Sequence, residues 1–342
     1  MTLPDTESRG SAMPDRAPGT ARTAARRRVS LGFGRFSGLY LAAVLIVVFG
    51  LWQPSTFLTV TTLRTVADQQ AITAMLALAL VVPMATGAFD ISIPSTMTLS
   101  LVLVAKMQSS GWGVAPSLLV ALLAGLLIGL VNAVAVVRLH VNSFVATLGS
   151  GSVITGCAFW VTGGQPIVRG FSPGFLAFGQ SQVLGVPVPV LLLVVLAAVL
   201  WVVLEHTPVG RYLYATGSNA QAARLAGLRT TRFVLGALVS SAALAALAGM
   251  LLAAKLGVGT HDVGAPYLLP VFAAAFLGAT QVYPGRVNVP GTVIAVYLLA
   301  VGVKGLQLAG AEAFVTGIFN GLALVVAVAL ASRRRTVGPG PV

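Results

Sequence analysis

Apolar residues in this chain fall into long runs that short polar segments separate. A hydrocarbon core about 30 Å thick needs roughly 20 apolar residues to be crossed by one helix. The runs at 95–107 and 267–279 are short for a full crossing and are predicted to be tilted, broken or re-entrant. The sequence therefore predicts an all-α, polytopic integral membrane protein with about ten transmembrane helices. The predicted helices lie near residues 39–52, 66–84, 95–107, 115–137, 143–161, 187–204, 233–254, 267–279, 289–303 and 314–331.

Both ends of the chain are polar and basic. Residues 1–36 are rich in Pro, Gly, Ser, Thr and Arg, so they cannot bury a core and are predicted to form a disordered basic cytoplasmic tail. The next apolar run is long and lacks an evident small-residue cleavage site, which favours a retained first helix over a signal peptide. We expect a transmembrane domain at residues 37–332 and a second cytoplasmic tail at residues 333–342.

The composition and charge also indicate a membrane protein. Of 342 residues, 57% are hydrophobic and only 8% are charged, whereas a soluble chain carries about 25% charged residues. If the N-terminus is cytoplasmic and the chain crosses ten times, cytoplasmic segments hold 16 of the 21 Lys and Arg. This distribution follows the positive-inside rule. Cytoplasmic topology in a cell membrane thus explains the net charge of +13, which does not indicate nucleic-acid binding.

Few side chains in the sequence could support catalysis or bind a metal. Cys157 is the single cysteine, which excludes a disulfide within the chain. The histidines His140, His206 and His261 are scattered and lack metal-ligand spacing. The sequence contains no G-x-x-x-x-G-K-[ST] phosphate loop and no nucleophile in a recognisable arrangement with a base. We therefore expect no enzymatic activity, no metal and no cofactor in this chain.

The longest polar segment between apolar runs is TPVGRYLYATGSNAQAARLAGL, at residues 207–228. It is rich in Arg and free of acids, which predicts a cytoplasmic loop. Ser218 and Gln221 have the spacing of a capping box, and Gly227 suits a left-handed helix end. The pattern predicts a short surface helix at about residues 219–226. On the residues alone, this helix is either a contact with a partner or a simple connection between two membrane helices.

A second polar stretch, GAFDISIP at residues 87–94, separates the second and third apolar runs. Its Asp90 is an acid next to the bilayer, where a charged group is costly and by default a functional hypothesis. Gly87 and Pro94 bracket this acid, and both residue types interrupt helices. Membrane proteins tolerate a broken helix only where it lines protein or water. The alternative is that Asp90 or Ser92 merely caps the next helix.

The polar segments resemble motifs of sugar-importing ABC permeases of the ribose, xylose and galactoside type. Their coupling loop reads T-x-x-G-R-x-x-Y-A-x-G-x-N-x-x-A-A-x-x-x-G, and this chain matches it at Thr207, Gly210, Arg211, Tyr214, Ala215, Gly217, Asn219, Ala222, Ala223 and Gly227. The stretch around Asp90 resembles G-G-x-D-L-S-x-G, with Ala88 and Pro94 replacing two glycines. Residues 141–149 resemble P-P-F-I-V-T-L-G without its prolines, and residues 162–167 match T-G-G-Q-P-I.

The resemblance implies a permease domain whose loop at residues 207–230 docks as a coupling helix on an ATP-hydrolysing subunit. The residues implied in coupling are Gly210, Arg211, Tyr214, Gly217, Asn219, Ala222, Ala223, Arg224 and Gly227. Those implied in the translocation path or its gate are Asp90, Ser92, Asn132, Phe144, Thr147 and Gln165. Gln165 is expected on the external side, where a sugar arrives.

The function implied is that of a permease subunit in an ATP-driven importer of a monosaccharide or similar small polyol. The implied partners are a cytoplasmic ABC ATPase that binds the ATP, a second permease subunit, an extracytoplasmic sugar-binding protein and membrane lipid. The runner-up is an ion-coupled secondary transporter in which Asp90 binds the coupling ion. The sequence leaves open which sugar is carried and whether the permeases form a homodimer or a heterodimer.

Overall fold

The computed structural model describes residues 37–335. The predicted tail at residues 1–36 lies outside the described residues, as do residues 336–342 of the second tail. The helices are α1 (Ser37–Trp52), α2 (Val60–Ala85), α3 (Ile93–Ser109), α4 (Val114–Val137), α5 (Ser143–Thr162), α6 (Pro173–Gln180), α7 (Val188–Trp201), α8 (Pro208–Ser218), α9 (Ala220–Leu225), α10 (Thr230–Leu256), α11 (Leu268–Gly278), α12 (Val289–Leu308) and α13 (Ala313–Arg335).

Three short elements complete the described chain. A two-stranded antiparallel hairpin, β1 (Gln182–Val183) and β2 (Val186–Pro187), lies between α6 and α7. A π-helical turn, Val202–His206, extends α7, and a 3₁₀ turn, Ala265–Tyr267, precedes α11. The architecture is therefore all-α, as the hydrophobic pattern predicts.

Seven helices in the described part are long and apolar enough to cross a membrane. They are α2, α4, α5, α7 with its π-helical turn, α10, α12 and most of α13. The other predicted crossings correspond to α1, α3 and α11, which are shorter. The chain is thus a multi-pass membrane protein, and the count of ten crossings stays a prediction. The runs predicted to be short, 95–107 and 267–279, coincide with α3 and α11.

Helix α2 lies at the centre of the bundle. Every residue from Ala71 to Ala85 is buried, and a helix that is hydrophobic all round belongs inside a protein. Helix α2 packs against α7, α10, α11 and α12. Helix α10 packs closely on α4, where a Cβ added to Gly129 would overlap the backbone of Val239. Small residues at such crossings let two membrane helices approach each other.

The bundle has two ends, which α10 connects over 27 residues, or about 40 Å at roughly 1.5 Å per residue. At the end called here the coupling end, α8 and α9 precede the start of α10. At the other end, called the distal end, Lys255 of α10 pairs with Asp68 of α2 across 2.8 Å. Tyr297 of α12 also donates to the carbonyl of Ala67 there. The coupling loop and the loop that follows α10 therefore lie at opposite ends of the molecule.

Candidate functional site

The site begins where α2 ends and α3 begins, in a broken segment at residues 86–92. Gly87 has φ +82, a left-handed conformation that a residue with a Cβ adopts poorly. Pro94 lies in the first turn of α3, where its missing N–H removes no hydrogen bond. The helical backbone is therefore interrupted between Gly87 and Pro94, as the sequence predicts.

Helix α5 satisfies the backbone of the broken segment. The N–H of Phe89 donates to Ser143 Oγ at 3.0 Å, and the N–H of Ile91 donates to Thr147 Oγ1 at 3.0 Å. Thr147 is fully buried and donates in turn to the carbonyl of Ser143 at 2.7 Å. Unpaired backbone groups at membrane depth cost several kcal/mol each. The hydroxyls of α5 thus stabilise a segment that lacks helical hydrogen bonds.

Asp90 lies at the centre of a buried polar cluster and is fully shielded from solvent. Its Oδ1 accepts from the N–H of Ser92 at 3.0 Å and from Ser92 Oγ at 2.6 Å. Its Oδ2 accepts from Ser241 Oγ of α10 at 3.0 Å. Asn132 of α4 donates through Nδ2 to Ser92 Oγ at 2.9 Å. The carboxylate therefore ties the start of α3 to α10, and Ser92 ties it to α4.

Both interpretations of the acid can be compared with these contacts. Asp90 does bind the backbone at the start of α3, as the capping alternative expects. Its second oxygen reaches a different helix, however, and a cap alone does not need that contact. Ser92 occupies the N-cap position of α3 without making a side-chain cap. The cluster joins three helices and does more than end one of them.

The structure brings together four of the six residues that the resemblance implies in the path: Asp90, Ser92, Asn132 and Thr147. Phe144 is half exposed at the start of α5, and its side chain lies outside the cluster. Gln165 is exposed in the loop after α5, and the neighbouring Ile167 pairs with Gly259 at the distal end. Gln165 and the Asp90 cluster are therefore separate features of the molecule.

A cavity of about 420 Å³, the α3–α5 cavity, adjoins the broken segment. Its polar lining consists of hydroxyls from both helices together with His261 and Asp262 from the loop after α10. The lining residues with polar side chains are Ser95, Thr98, Ser152, Thr155, His261 and Asp262. Among the described residues, His261 Nδ1 is a buried atom without a hydrogen-bond partner. The cavity can therefore offer both donors and acceptors to a small polar solute.

Sequence reasoning missed His261 and Asp262. The histidine lacks metal-ligand spacing, and Asp262 is an acid in a short loop of unremarkable pattern. A signal was nevertheless present, because Asp262 is the first acid after Glu205 in an otherwise basic and apolar stretch. Within the described residues, no cluster of His, Cys, Asp and Glu could hold a metal ion.

At the coupling end, α8 lies directly against the broken segment. A Cβ added to Gly217 would overlap the carbonyl oxygen of Ala85 and the backbone of Gly87. A Cβ added to Gly210 would likewise overlap the carbonyl of Leu204, so α8 also packs closely on the π-helical turn. Helix α8 is not foreseen by the sequence pattern, which predicts only the helix at residues 219–226. Helix α8 therefore connects the surface helix at residues 219–226 to the broken segment.

Helix α9, which spans Ala220–Leu225, confirms the predicted surface helix, but its cap differs from the prediction. Asn219 is the N-cap, and its Oδ1 accepts from the N–H groups of Gln221 at 3.1 Å and Ala222 at 2.9 Å. The predicted capping box at Ser218 is wrong, because Ser218 is the last residue of α8 and its hydroxyl donates to the carbonyl of Tyr214. Gly227 has φ +83, which confirms the predicted left-handed helix end.

The side chains of the coupling loop point in different directions. Ala223 is only 6% exposed and packs inside this chain, although its small size suggested contact with a partner. Arg211 and Ala222 are exposed, and Arg224 donates to Thr230 Oγ1 at 3.0 Å. Leu225 is 91% exposed, which sequence reasoning did not single out. The surface that a partner can reach therefore includes Arg211, Ala222 and Leu225.

Tyr214 fixes α8 to the turn before α12. Its hydroxyl donates to the carbonyl of Val287 at 3.0 Å. The guanidinium of Arg286 stacks on the Tyr214 ring at 4.6 Å. Burial and the nearby Glu205 raise the pKa of Tyr214 to about 12, against the opposing charge of Arg286. The hydroxyl is therefore a permanent donor at physiological pH.

Comparisons with known proteins place the chain in a family. The family described as "Branched-chain amino acid transport system / permease component" matches residues 62–328. The chain is 32% identical over 298 residues to the ribose import permease protein of Bacillus subtilis (strain 168), which covers 87% of this chain and 91% of that protein.

The ribose import permease protein of Haemophilus influenzae is 30% identical, covering 83% of this chain and 89% of that protein. The autoinducer 2 import system permease protein of Escherichia coli O9:H4 (strain HS) is 32% identical, covering 85% and 90%. No solved structure matches the chain. The chain belongs to the family of membrane-spanning permease components of the branched-chain amino acid transport type, together with these import permeases.

Proposed function

We propose that this chain is the permease subunit of an ATP-driven ABC importer that carries a monosaccharide or similar small polyol into the cytoplasm. The similarity to ribose import permeases over 87% of this chain supports a sugar as the cargo. The hydroxyls that line the α3–α5 cavity support the same class of solute, because they can exchange hydrogen bonds with its hydroxyl groups.

The observation that carries the proposal is the contact between α8 and the broken segment. The backbone of Gly217 lies against residues 85–87, and Asp90 follows three residues later. A movement imposed on α8 from outside therefore reaches the Asp90 cluster without an intervening flexible loop. Packed elements of this kind shift as rigid bodies between discrete arrangements. This is the connection that an importer needs between its energy source and its path.

The partner that moves α8 is a cytoplasmic ATPase subunit, which binds and hydrolyses the ATP because this chain carries no phosphate loop. Its docking surface is formed by the exposed Arg211, Ala222 and Leu225 of the coupling loop. Leu225 is a 91% exposed apolar side chain, and its burial against a partner would favour binding. Gly210, Tyr214, Asn219 and Ala223 hold the loop in shape from within.

The remaining partners follow from the same function. A second permease, identical or different, completes the path beside α5, whose exposed face includes Gly149, Ser152 and Thr155. Small residues of this kind let two membrane helices approach closely. An extracytoplasmic sugar-binding protein delivers the cargo at the distal end. Both chain termini and the coupling loop share the cytoplasmic face in this proposal, which the distribution of Lys and Arg favours.

The import-permease relatives favour this function over an ion-coupled secondary transporter in which Asp90 binds the coupling ion. Uptake by proteoliposomes that contain the permease, its ATPase and its binding protein tests the proposal. We expect D-ribose or another monosaccharide to be taken up only when ATP is present inside the vesicles. Added L-leucine should not reduce this uptake. Uptake driven by an ion gradient without ATP would overturn the proposal, and so would ATP-driven uptake of L-leucine alone.

A further inference from the structure

A second polar cavity, the distal cavity, lies at the distal end among α2, α11, α12 and α13. Its volume is about 600 Å³, which falls within the range of about 300–1,000 Å³ that is usual for small-molecule sites. Four amide side chains reach it from three helices: Gln69 and Gln70 from the start of α2, Gln307 from the end of α12 and Asn320 from α13. None of the four belongs to the Asp90 cluster.

The amides are available to a ligand. Within residues 37–335, the side chains of Gln69, Gln70, Gln307 and Asn320 make no hydrogen bond or ion pair. The threonines Thr260 and Thr316 of the same lining are equally without side-chain partners in the described part. Each amide offers one acceptor oxygen and two donor hydrogens. Gln69 and Gln307 are exposed and Gln70 and Asn320 are partly exposed, so all four amides can exchange water for a ligand.

The chemistry of the lining selects a neutral, polyhydroxylated ligand. No Lys, Arg or His of the described chain lines the cavity, and its one charged side chain is the carboxylate of Asp262, so an anionic ligand would be repelled. Among the described residues, no group of three or more His, Cys, Asp or Glu side chains could hold a metal ion here. The ring of Tyr267 and the apolar side chains of Pro270 and Leu299 form part of the wall, against which the C–H faces of a sugar ring can pack.

Asp262 belongs to both cavities. It lines the distal cavity and also the α3–α5 cavity beside the broken segment. The loop that carries it is held on α3, because a Cβ at Gly264 would overlap the carbonyl of Pro94 and Thr98 Oγ1. A carboxylate at such a boundary can accept hydrogen bonds from two neighbouring hydroxyls of one sugar.

We infer that the distal cavity is a saccharide-binding subsite and that Asp262 passes the sugar from it to the α3–α5 cavity. This inference rests on the proposed function, because it gives the importer an entry subsite in the permease itself. The subsite lies at the opposite end from the coupling loop, where the cargo would enter.

The test measures protection of an engineered cysteine in the assembled importer. With Cys157→Ser as background, Thr316→Cys introduces a thiol into the cavity wall, and Glu312→Cys introduces a matched exposed thiol just before α13. Both are labelled with a membrane-impermeant maleimide in the presence of D-ribose, D-xylose, D-galactose or myo-inositol. We expect at least one of these sugars to slow labelling of T316C several-fold and saturably, while labelling of E312C is unchanged.

A second variant distinguishes occupation of the cavity from a distant effect. Asn320→Leu should raise the sugar concentration for half-protection about tenfold, which corresponds to the loss of one or two hydrogen bonds. An unchanged sugar concentration for half-protection in that variant would show that the distal cavity is not a saccharide-binding subsite. If a sugar is taken up with ATP but none protects T316C, the subsite is wrong and the proposed function stands. If ATP drives no uptake of any sugar, the proposed function itself fails.

Discussion

Arg286 Nη2 lies 2.6 Å from Glu205 Oε2, and this ion pair joins the turn before α12 to the π-helical turn that ends α7. The same guanidinium stacks on the rings of Tyr214 and Tyr283, at 4.6 Å and 4.9 Å. Glu205 is mostly buried, and its other oxygen, Oε1, has no partner among the described residues. The pair thus holds α8, α7 and α12 together at the coupling end.

Arg286→Leu should lower the free energy of unfolding by about 1–2 kcal/mol, because it leaves a largely buried carboxylate without its partner. The estimate is below that for a fully buried pair, since the Arg286 side chain is 39% exposed. Thermal unfolding of the purified permease measures the change. Glu205→Gln and the double variant complete a cycle, and additive effects would show that the two residues do not interact.

Asp90→Asn should reduce ATP-dependent uptake about tenfold or more while the protein remains inserted and assembled. The amide presents two donors where Ser92 and Ser241 also donate, and hydrogen bonds to a carboxylate contribute about 1.5–3 kcal/mol. The control is Asp68→Asn, at the distal end and outside the cluster. Normal uptake by the Asp90 variant would mean that the cluster has only a structural role.

Gly217→Val should separate ATP hydrolysis from transport. The new side chain would overlap the backbone of residues 85–87, and helix backbones cannot move aside as a flexible side chain can. We expect uptake to be lost while the ATPase still binds and hydrolyses ATP. Gly236→Val on α10 is the matched control, because a Cβ there meets nothing within 4 Å. Equal behaviour of the two variants would argue against transmission through α8.

Leu225→Asp should weaken binding of the ATPase subunit by about 1.5–3 kcal/mol, the contribution of burying one leucine. Co-purification of the two subunits measures it. Leu184→Asp serves as the control, because Leu184 is fully exposed in the hairpin between α6 and α7, away from α9. Because Ala223 packs inside the chain, a change there would test folding of the loop and not docking. If the L225D variant co-purifies with the ATPase subunit as well as the unchanged protein does, Leu225 is not part of the interface.

The coupling loop should be inaccessible from outside the cell. In the Cys157→Ser background, Ser218→Cys should not react with an impermeant maleimide added to intact cells, whereas Leu184→Cys should. Both side chains are exposed on the protein, so topology alone decides between them. Labelling of S218C in intact cells would show that the proposed orientation is wrong.

The sequence by itself determined the fold class and the main helices, because the bilayer imposes the same length and apolarity on every crossing. It also located the helix break at Gly87 and Pro94 and the left-handed end at Gly227, because these residue types restrict the backbone locally. Local patterning was less reliable at the cap of α9. Ser and Asn are both favourable N-cap residues. Asn219 caps α9 because α8 continues as far as Ser218.

Only the tertiary structure decided which residues meet. Asp90, Asn132 and Ser241 are far apart in sequence and come together because α3, α4 and α10 pack on one another through small residues. The contact of Gly217 with residues 85–87 depends on helix packing, and so does the distal cavity, which both Gln69 and Asn320 line. Amides and glycines do not form a periodic pattern along the sequence. Their role therefore depends on which helix faces the packing brings together.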